Sequence, residues 1–255
     1  MEEPVSIQEK SLQDKLGELL RTNRLVILLE IVVVLLPMYL GLIINDRSGT
    51  DHIPLGGNVV MLGGPTMYLG MIISLLLLWI TSRLRGAGWG DYGLTRPKSW
   101  FRTILMSLGV AFAILGAVVL LINPIINAIP NVEPRDMSRF NYLEGNLPNL
   151  IIQLVIIWIT AAFLEEFIFR GYLLNRLVDL QGRQTRLACV IAVISQVSIF
   201  RLAHAYQGPV GVLKTGAIGL VFGLAYLAVK RNLWPLIIAH GLIDSIDMVT
   251  HYFGG

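Results

Sequence analysis

Charge is scarce in this chain. Only 15% of its 255 residues are Asp, Glu, Lys or Arg, against 55% apolar residues, and the mean hydropathy is +0.67. That balance excludes an ordinary soluble domain. With repeated apolar stretches of about 20 residues, it indicates an all-α, multi-span membrane protein. Cysteine is nearly missing: Cys189 stands alone in an apolar run. No intramolecular disulfide can form, and nothing local would ionise the thiol, so it reads as packing. The net charge of +3 is small and its basic residues are scattered, which argues against a nucleic-acid partner. The opening MEEPVSIQEK is acidic and polar, unlike a secretory signal. There is no sustained repeat, low-complexity tract or Gly/Ser linker, so residues 25–255 read as one domain after a polar segment, 1–24. GWGDYGLTRPKSW lacks Walker or dinucleotide glycine spacing and reads as an interfacial connection.

What the chain does have is apolar helical pattern. Ile7, Leu12, Leu16, Leu19 and Leu20 recur at roughly helical spacing, predicting an amphipathic cytoplasmic helix on the membrane surface. Seven spans are predicted near 25–44, 59–80, 104–123, 150–169, 187–203, 210–229 and 233–250, with Gly63, Gly64 and Pro65 breaking the start of the second. The N-terminal tail and the connections 81–103, 170–186 and 230–232 carry fifteen Lys and Arg, and the alternate connections three. This asymmetry places the N-terminus in the cytoplasm, and we expect a plasma-membrane protein. Gly219 and Gly223 predict a helix-packing face. Trp79, Trp89, Trp100 and Trp234 fall near span ends, where indoles anchor.

Ionisable residues at depth stand out against this background, because each costs roughly 2.5–3.5 kcal/mol at a helix centre unless it has a partner or water. Glu30 and Lys214 read as snorkelling or paired. The fourth span carries FLEEFIFRGYLL, with Glu165, Glu166 and Arg170. Glu166 and Arg170, four apart, share one helical face and can pair. Glu165 lies about 100° further round, free to point into a cavity. FRLAH puts Phe200 and His204 on one face of the fifth span, and HGLID does the same for His240 and Asp244 on the seventh.

In that order the three segments resemble the EExxxR, FxxxH and HxxxN/D signatures of the type II CAAX prenyl endopeptidases and their bacterial relatives, the CPBP intramembrane proteases. The resemblance covers about residues 95–250 and leaves 1–90 unexplained. One departure is Arg201, where a small residue is expected. The resemblance implies an intramembrane endopeptidase acting by activated water on a membrane-associated, possibly prenylated, peptide. No Ser–His or Cys–His arrangement offers a covalent route, and a carboxylate in a low-dielectric cavity is a better general base. On this reading Glu165 activates water with His204, Glu166 and Arg170 support it, Phe200 packs beside it, and His240 stabilises the oxyanion. Asp244 is either protonated or, as we prefer, orients and charges His240.

We expect no cofactor. Were a zinc ion present, Glu165, His204 and His240 would hold it, but the adjacent Arg170 opposes a cation and the pattern is not HExxH. The alternatives are a non-proteolytic chaperone or immunity factor with this fold, and a proton-coupled transporter, although no inverted repeat is visible. On these boundaries Glu165 and His204 lie at opposite ends of their helices. Apolar spacing through FIFRGYLLNRLVDL resolves this by extending the fourth helix to about 180, which sets the glutamates deeper.

Overall fold

The computed structural model describes residues 11–49, 52–182 and 184–254. It is 80% helical. Helix α1 (Leu12–Thr22) begins with a reciprocal cap in which Ser11 Oγ accepts from Asp14 N–H and the Asp14 carboxylate accepts from Ser11 N–H. It buries Gly17 and Leu20 and leaves Leu12, Leu16 and Leu19 exposed; Ile7 lies outside the described residues. Helix α2 (Arg24–Ser48) contains Pro37, and the next N–H, that of Met38, donates to Ser74 Oγ of the following helix at 3.0 Å.

The start of the second expected span is corrected. Residues 52–62 form an antiparallel hairpin, β1 (His52–Gly56) and β2 (Val59–Leu62), and helix α3 runs Pro65–Arg85. The apolar run at 59–62 satisfies its backbone by pairing with β1, while Gly63, Gly64 and Pro65 separate it from the helix. The hairpin sits over the start of a later helix, where Asn149 Oδ1 accepts from Val60 N–H at 3.0 Å.

Helix α4 (Trp100–Asn127) is mostly exposed, as a lipid-facing helix would be. Helix α5 (Leu147–Gln181) is the centre of the bundle. It reaches Gln181 as its apolar spacing predicts, and Gly182 ends it at φ 68°. Phe167, Ile168, Phe169, Tyr172, Leu173 and Leu174 are all buried. A helix apolar on every side must be surrounded by others, so polar groups on this stretch are also enclosed. Residues Trp158–Leu174 follow the wider i→i+5 π-helical bonding, a geometry common where side chains are re-aimed for function.

Helices α6 (Arg186–Phe200) and α7 (Gly208–Ala228) are joined by a 3-10 turn, Arg201–Gln207. Gly208, at φ 72° and ψ −179°, reverses the chain in a conformation disfavoured for other residues. The two helices pack antiparallel, with Phe200 against Gly219 and Val193 against Gly223, the close approach that small residues allow. Helix α8 (Trp234–Tyr252) completes the fold. Among the described residues five helical segments are long and apolar enough to cross a membrane, one of them, Arg186–Ala228, holding the fifth and sixth expected spans. Two histidines and two aspartates keep α8 below that level of apolarity. The chain is a multi-pass helical membrane protein.

The basic connections meet at one end. Arg21 donates to the Arg85 carbonyl at 2.8 Å, Arg24 to that of Gln181 at 3.4 Å, and Arg231 to Gln184 Oε1 at 3.0 Å. Just inside lies Glu30, 4% exposed, with Arg176 Nη2 at 2.6 Å and Arg85 Nε at 3.3 Å. Arg176 also holds Asp179 at 2.8 Å and the Leu20 carbonyl at 2.7 Å. Glu30 is therefore paired, and the pair locks α1, α2 and α3 to α5. At the opposite end, the connection between α4 and α5 folds over the 3-10 turn. There Arg135 Nε donates to Gln207 Oε1 at 2.8 Å, and Asp136 N–H to the Gln207 carbonyl at 3.1 Å.

Candidate active site

Burial of α5 places Glu166 and Arg170 at 0% exposure, one turn apart. Arg170 Nη1 lies 3.0 Å from Glu166 Oε1. Its guanidinium stands over the rings of Phe200, 4.5 Å away, and Phe222, 5.1 Å away, so one anion and two π faces surround the buried cation. Gly219 makes room for this: a Cβ there would lie 3.0 Å from Phe200 and 3.7 Å from Arg170 Nη2.

The same carboxylate oxygen binds the third motif. His240 Nδ1 is 2.8 Å from Glu166 Oε1. A carboxylate only accepts, so Nδ1 carries the proton. The other ring nitrogen, Nε2, faces Asp244 Oδ2 at 3.4 Å. Both nitrogens of His240 thus meet carboxylates, one from the first motif and one from its own helix. Trp158 fixes α8 at this level, donating from Nε1 to Ser245 Oγ at 3.1 Å and lying so close to Gly241 that a Cβ there would be 2.7 Å from the ring.

His204 completes the grouping. Its Nδ1 is 3.4 Å from the Phe200 carbonyl, and its ring lies 4.8 Å from that of Phe200. The carbonyl can only accept, so Nδ1 is the protonated nitrogen and Nε2 keeps its lone pair. Glu165 is half-buried, and no hydrogen bond or ion pair engages it among the described residues. Its carboxylate is nonetheless within electrostatic reach of His240, Asp244, Arg170 and Glu166. The structure therefore gathers all seven residues singled out from the sequence: Glu165, Glu166, Arg170, Phe200, His204, His240 and Asp244. Only the paired glutamate is bound tightly, while its neighbour is left open. Arg201 is exposed and lines a surface recess with Ala205, Gly208, Pro209, Val212 and Leu213.

Sequence reasoning missed several contributors. Phe222 packs on Arg170 and, at 5.0 Å, on His240; its position between two packing glycines was the available signal. Tyr39 of α2 donates to the Ile199 carbonyl at 2.7 Å and, like Tyr206, lies within electrostatic reach of Glu165. No pattern in α2 marked Tyr39. Tyr206 stands two residues after His204. Arg135, from the connection before α5, reaches Asp247 at 3.7 Å, one turn beyond Asp244.

A metal would need converging donors. Among the described residues no three His, Cys, Asp or Glu side chains are so arranged. The nitrogens of His240 already meet carboxylates, and a guanidinium sits beside Glu166. The donor set of Glu165, His204 and His240 does not fit a resident zinc ion, and no step below passes through one.

A helical membrane bundle with carboxylate, imidazole and guanidinium groups joined in its interior has the donors and acceptors to exchange protons within the membrane. Residues 147–246 match the family described as Rce1-like, type II CAAX prenyl endopeptidase Rce1-like. The chain carries an Rce1-like region over these residues, bearing out the resemblance drawn from the three motifs, and that family is one of proteases. The match begins at α5, later than the residue near 95 where the sequence resemblance was drawn. No curated protein and no solved structure matches the chain.

Proposed function

We propose that the protein is an intramembrane endopeptidase that hydrolyses a peptide bond of a membrane-associated peptide using water activated by Glu165. The observation that carries this reading is the 2.8 Å contact between Glu166 and His240, which joins two motifs 74 residues apart while leaving Glu165 open beside them. In the step, water adds to the scissile carbonyl carbon and its proton passes to Glu165. The lone pair on His204 Nε2 shares or orients that proton. The tetrahedral intermediate then collapses as the C–N bond breaks, Glu165 returns the proton to the leaving nitrogen, and an amine and a carboxylic acid depart, the acid losing its remaining proton to water on release. Glu166, held by Arg170 and His240, is a positioning residue that fixes the helix and the local charge. Asp244 orients His240 from one turn away. We read the catalysis as needing no cofactor.

The basic connections gathered at one end support a cytoplasmic N-terminus, with the Arg135 end outward, in the plasma membrane. The protein, purified in nanodiscs, is tested with internally quenched peptides, prenylated and unprenylated. Cleavage by wild type that disappears in Glu165→Gln at equal folded yield is expected. Retained cleavage in that variant refutes the assignment of the base. A protein acting only as chaperone, immunity factor or transporter cleaves nothing. Activity lost on chelation and restored by stoichiometric zinc would overturn the metal-free mechanism.

A further inference from the structure

The proposed hydrolysis develops negative charge on the carbonyl oxygen, and a preorganised donor must meet it. The neighbouring groups are largely committed. His240 gives Nδ1 to Glu166, which leaves its Nε2, 3.4 Å from Asp244 Oδ2, as one donor, and His204 with its proton on Nδ1 offers only a lone pair at Nε2. Arg170 is enclosed between two aromatic rings beside Glu166. The hydroxyl proton of Tyr39 goes to the Ile199 carbonyl.

Tyr206 differs. Its ring stacks with that of His204, centroids 6.3 Å apart and planes 28° off parallel. The guanidinium of Arg139 covers its other environment, 3.5 Å from the ring centroid. Its oxygen accepts from Gln207 Nε2 at 2.8 Å, and Gln207 is 2% exposed and itself held by Arg135. The phenol is thus fixed in orientation with its acceptor position filled. Among the described residues none accepts its proton. A cation lying over a phenol ring also strengthens its O–H as a donor.

We propose that Tyr206 is a further catalytic residue, donating its phenolic O–H to the oxyanion of the tetrahedral intermediate, with Arg135, Gln207 and Arg139 as its positioning residues. This assignment rests on the peptide hydrolysis inferred above. Tyr206→Phe keeps the stack on His204 and removes the hydroxyl, which is both the free donor and the acceptor for Gln207 Nε2. Its kcat should fall about 10²–10³-fold, with KM within about threefold, and the melting temperature should drop only by the loss of the one hydrogen bond from Gln207. A purely structural role would not produce that split.

A second measurement does not depend on turnover: binding of a peptide phosphonate, whose anionic tetrahedral centre mimics the intermediate, compared with the matching uncleavable amide. Tyr206→Phe should lose at least about tenfold for the phosphonate and nothing for the amide. Equal phosphonate affinity in wild type and Tyr206→Phe overturns the proposal, even where wild-type cleavage and its loss in Glu165→Gln uphold the hydrolysis. A wild type that neither cleaves peptides nor prefers the phosphonate overturns both.

Discussion

Neutralising the buried pair on α5 one partner at a time should cost more than neutralising both. Glu166 Oε1 is 3.0 Å from Arg170 Nη1 and 2.8 Å from His240 Nδ1, and both members of the pair are fully buried. Arg170→Met leaves a carboxylate facing only an imidazole, and Glu166→Gln leaves a guanidinium facing only aromatic rings and an amide. Stranding a buried charge costs about 3–5 kcal/mol. Arg170→Met also loses its two cation–π contacts, about 1 kcal/mol or more each when desolvated. In the double variant neither charge remains to be stranded, so it should be more stable than the sum of the single losses predicts by about 2–3 kcal/mol. That corresponds to roughly 30- to 150-fold in the unfolding equilibrium constant. Reversible unfolding in mixed micelles, followed through the five tryptophans, closes the cycle. A coupling below about 0.5 kcal/mol would refute the claim that the pair is a single electrostatic unit. Cleavage should stay absent in the double variant although stability recovers, because Glu166 also positions His240.

Glu165→Gln should shift stability by less than about 1 kcal/mol, since the side chain has no partner to lose; a large loss of melting temperature would show it to be structural. Gly241→Ala should destabilise by about 1–3 kcal/mol through overpacking on Trp158, measured by thermal unfolding in detergent. Glu30→Gln should cost about 1–3 kcal/mol by removing the carboxylate that Arg176 and Arg85 share, Asp179 still facing Arg176, and combining it with Arg176→Met should recover part of that in the same assay. Asp244→Asn should retain part of the peptide cleavage that Asp244→Ala loses, because the amide can still bond to His240; equal activity of Ala and wild type would remove Asp244 from the site.

The parts of the site legible in the sequence were those carried by one helix. Glu166 with Arg170, Phe200 with His204 and His240 with Asp244 are all four apart, a spacing that brings each pair together even though His204 lies in the 3-10 turn just past α6. The length of α5 was legible too, from apolar spacing beyond Arg170. The hairpin at 52–62 was not, because VVML reads equally as a paired strand or as the start of a span. Nor was the choice of partner. That Glu166, rather than Glu165, binds His240 depends on how α5 is rotated against α8. Tyr39 and Tyr206 were hidden for the same reason: their nearness to Glu165 is tertiary. Between them they border the one carboxylate that the motifs leave unbound.

The α2 helix lies wholly outside the matched segment, yet it supplies Tyr39 within electrostatic reach of Glu165 and Glu30 against Arg176. A fragment reduced to residues 147–246 would keep every signature residue and lose one wall of their enclosure. Lipid tails would then reach the open glutamate, and Arg176 would lose Glu30 and keep only Asp179. The N-terminal helices therefore belong to the chemistry as insulation, and exchanging them between relatives should alter the environment of the reacting water without changing a motif residue.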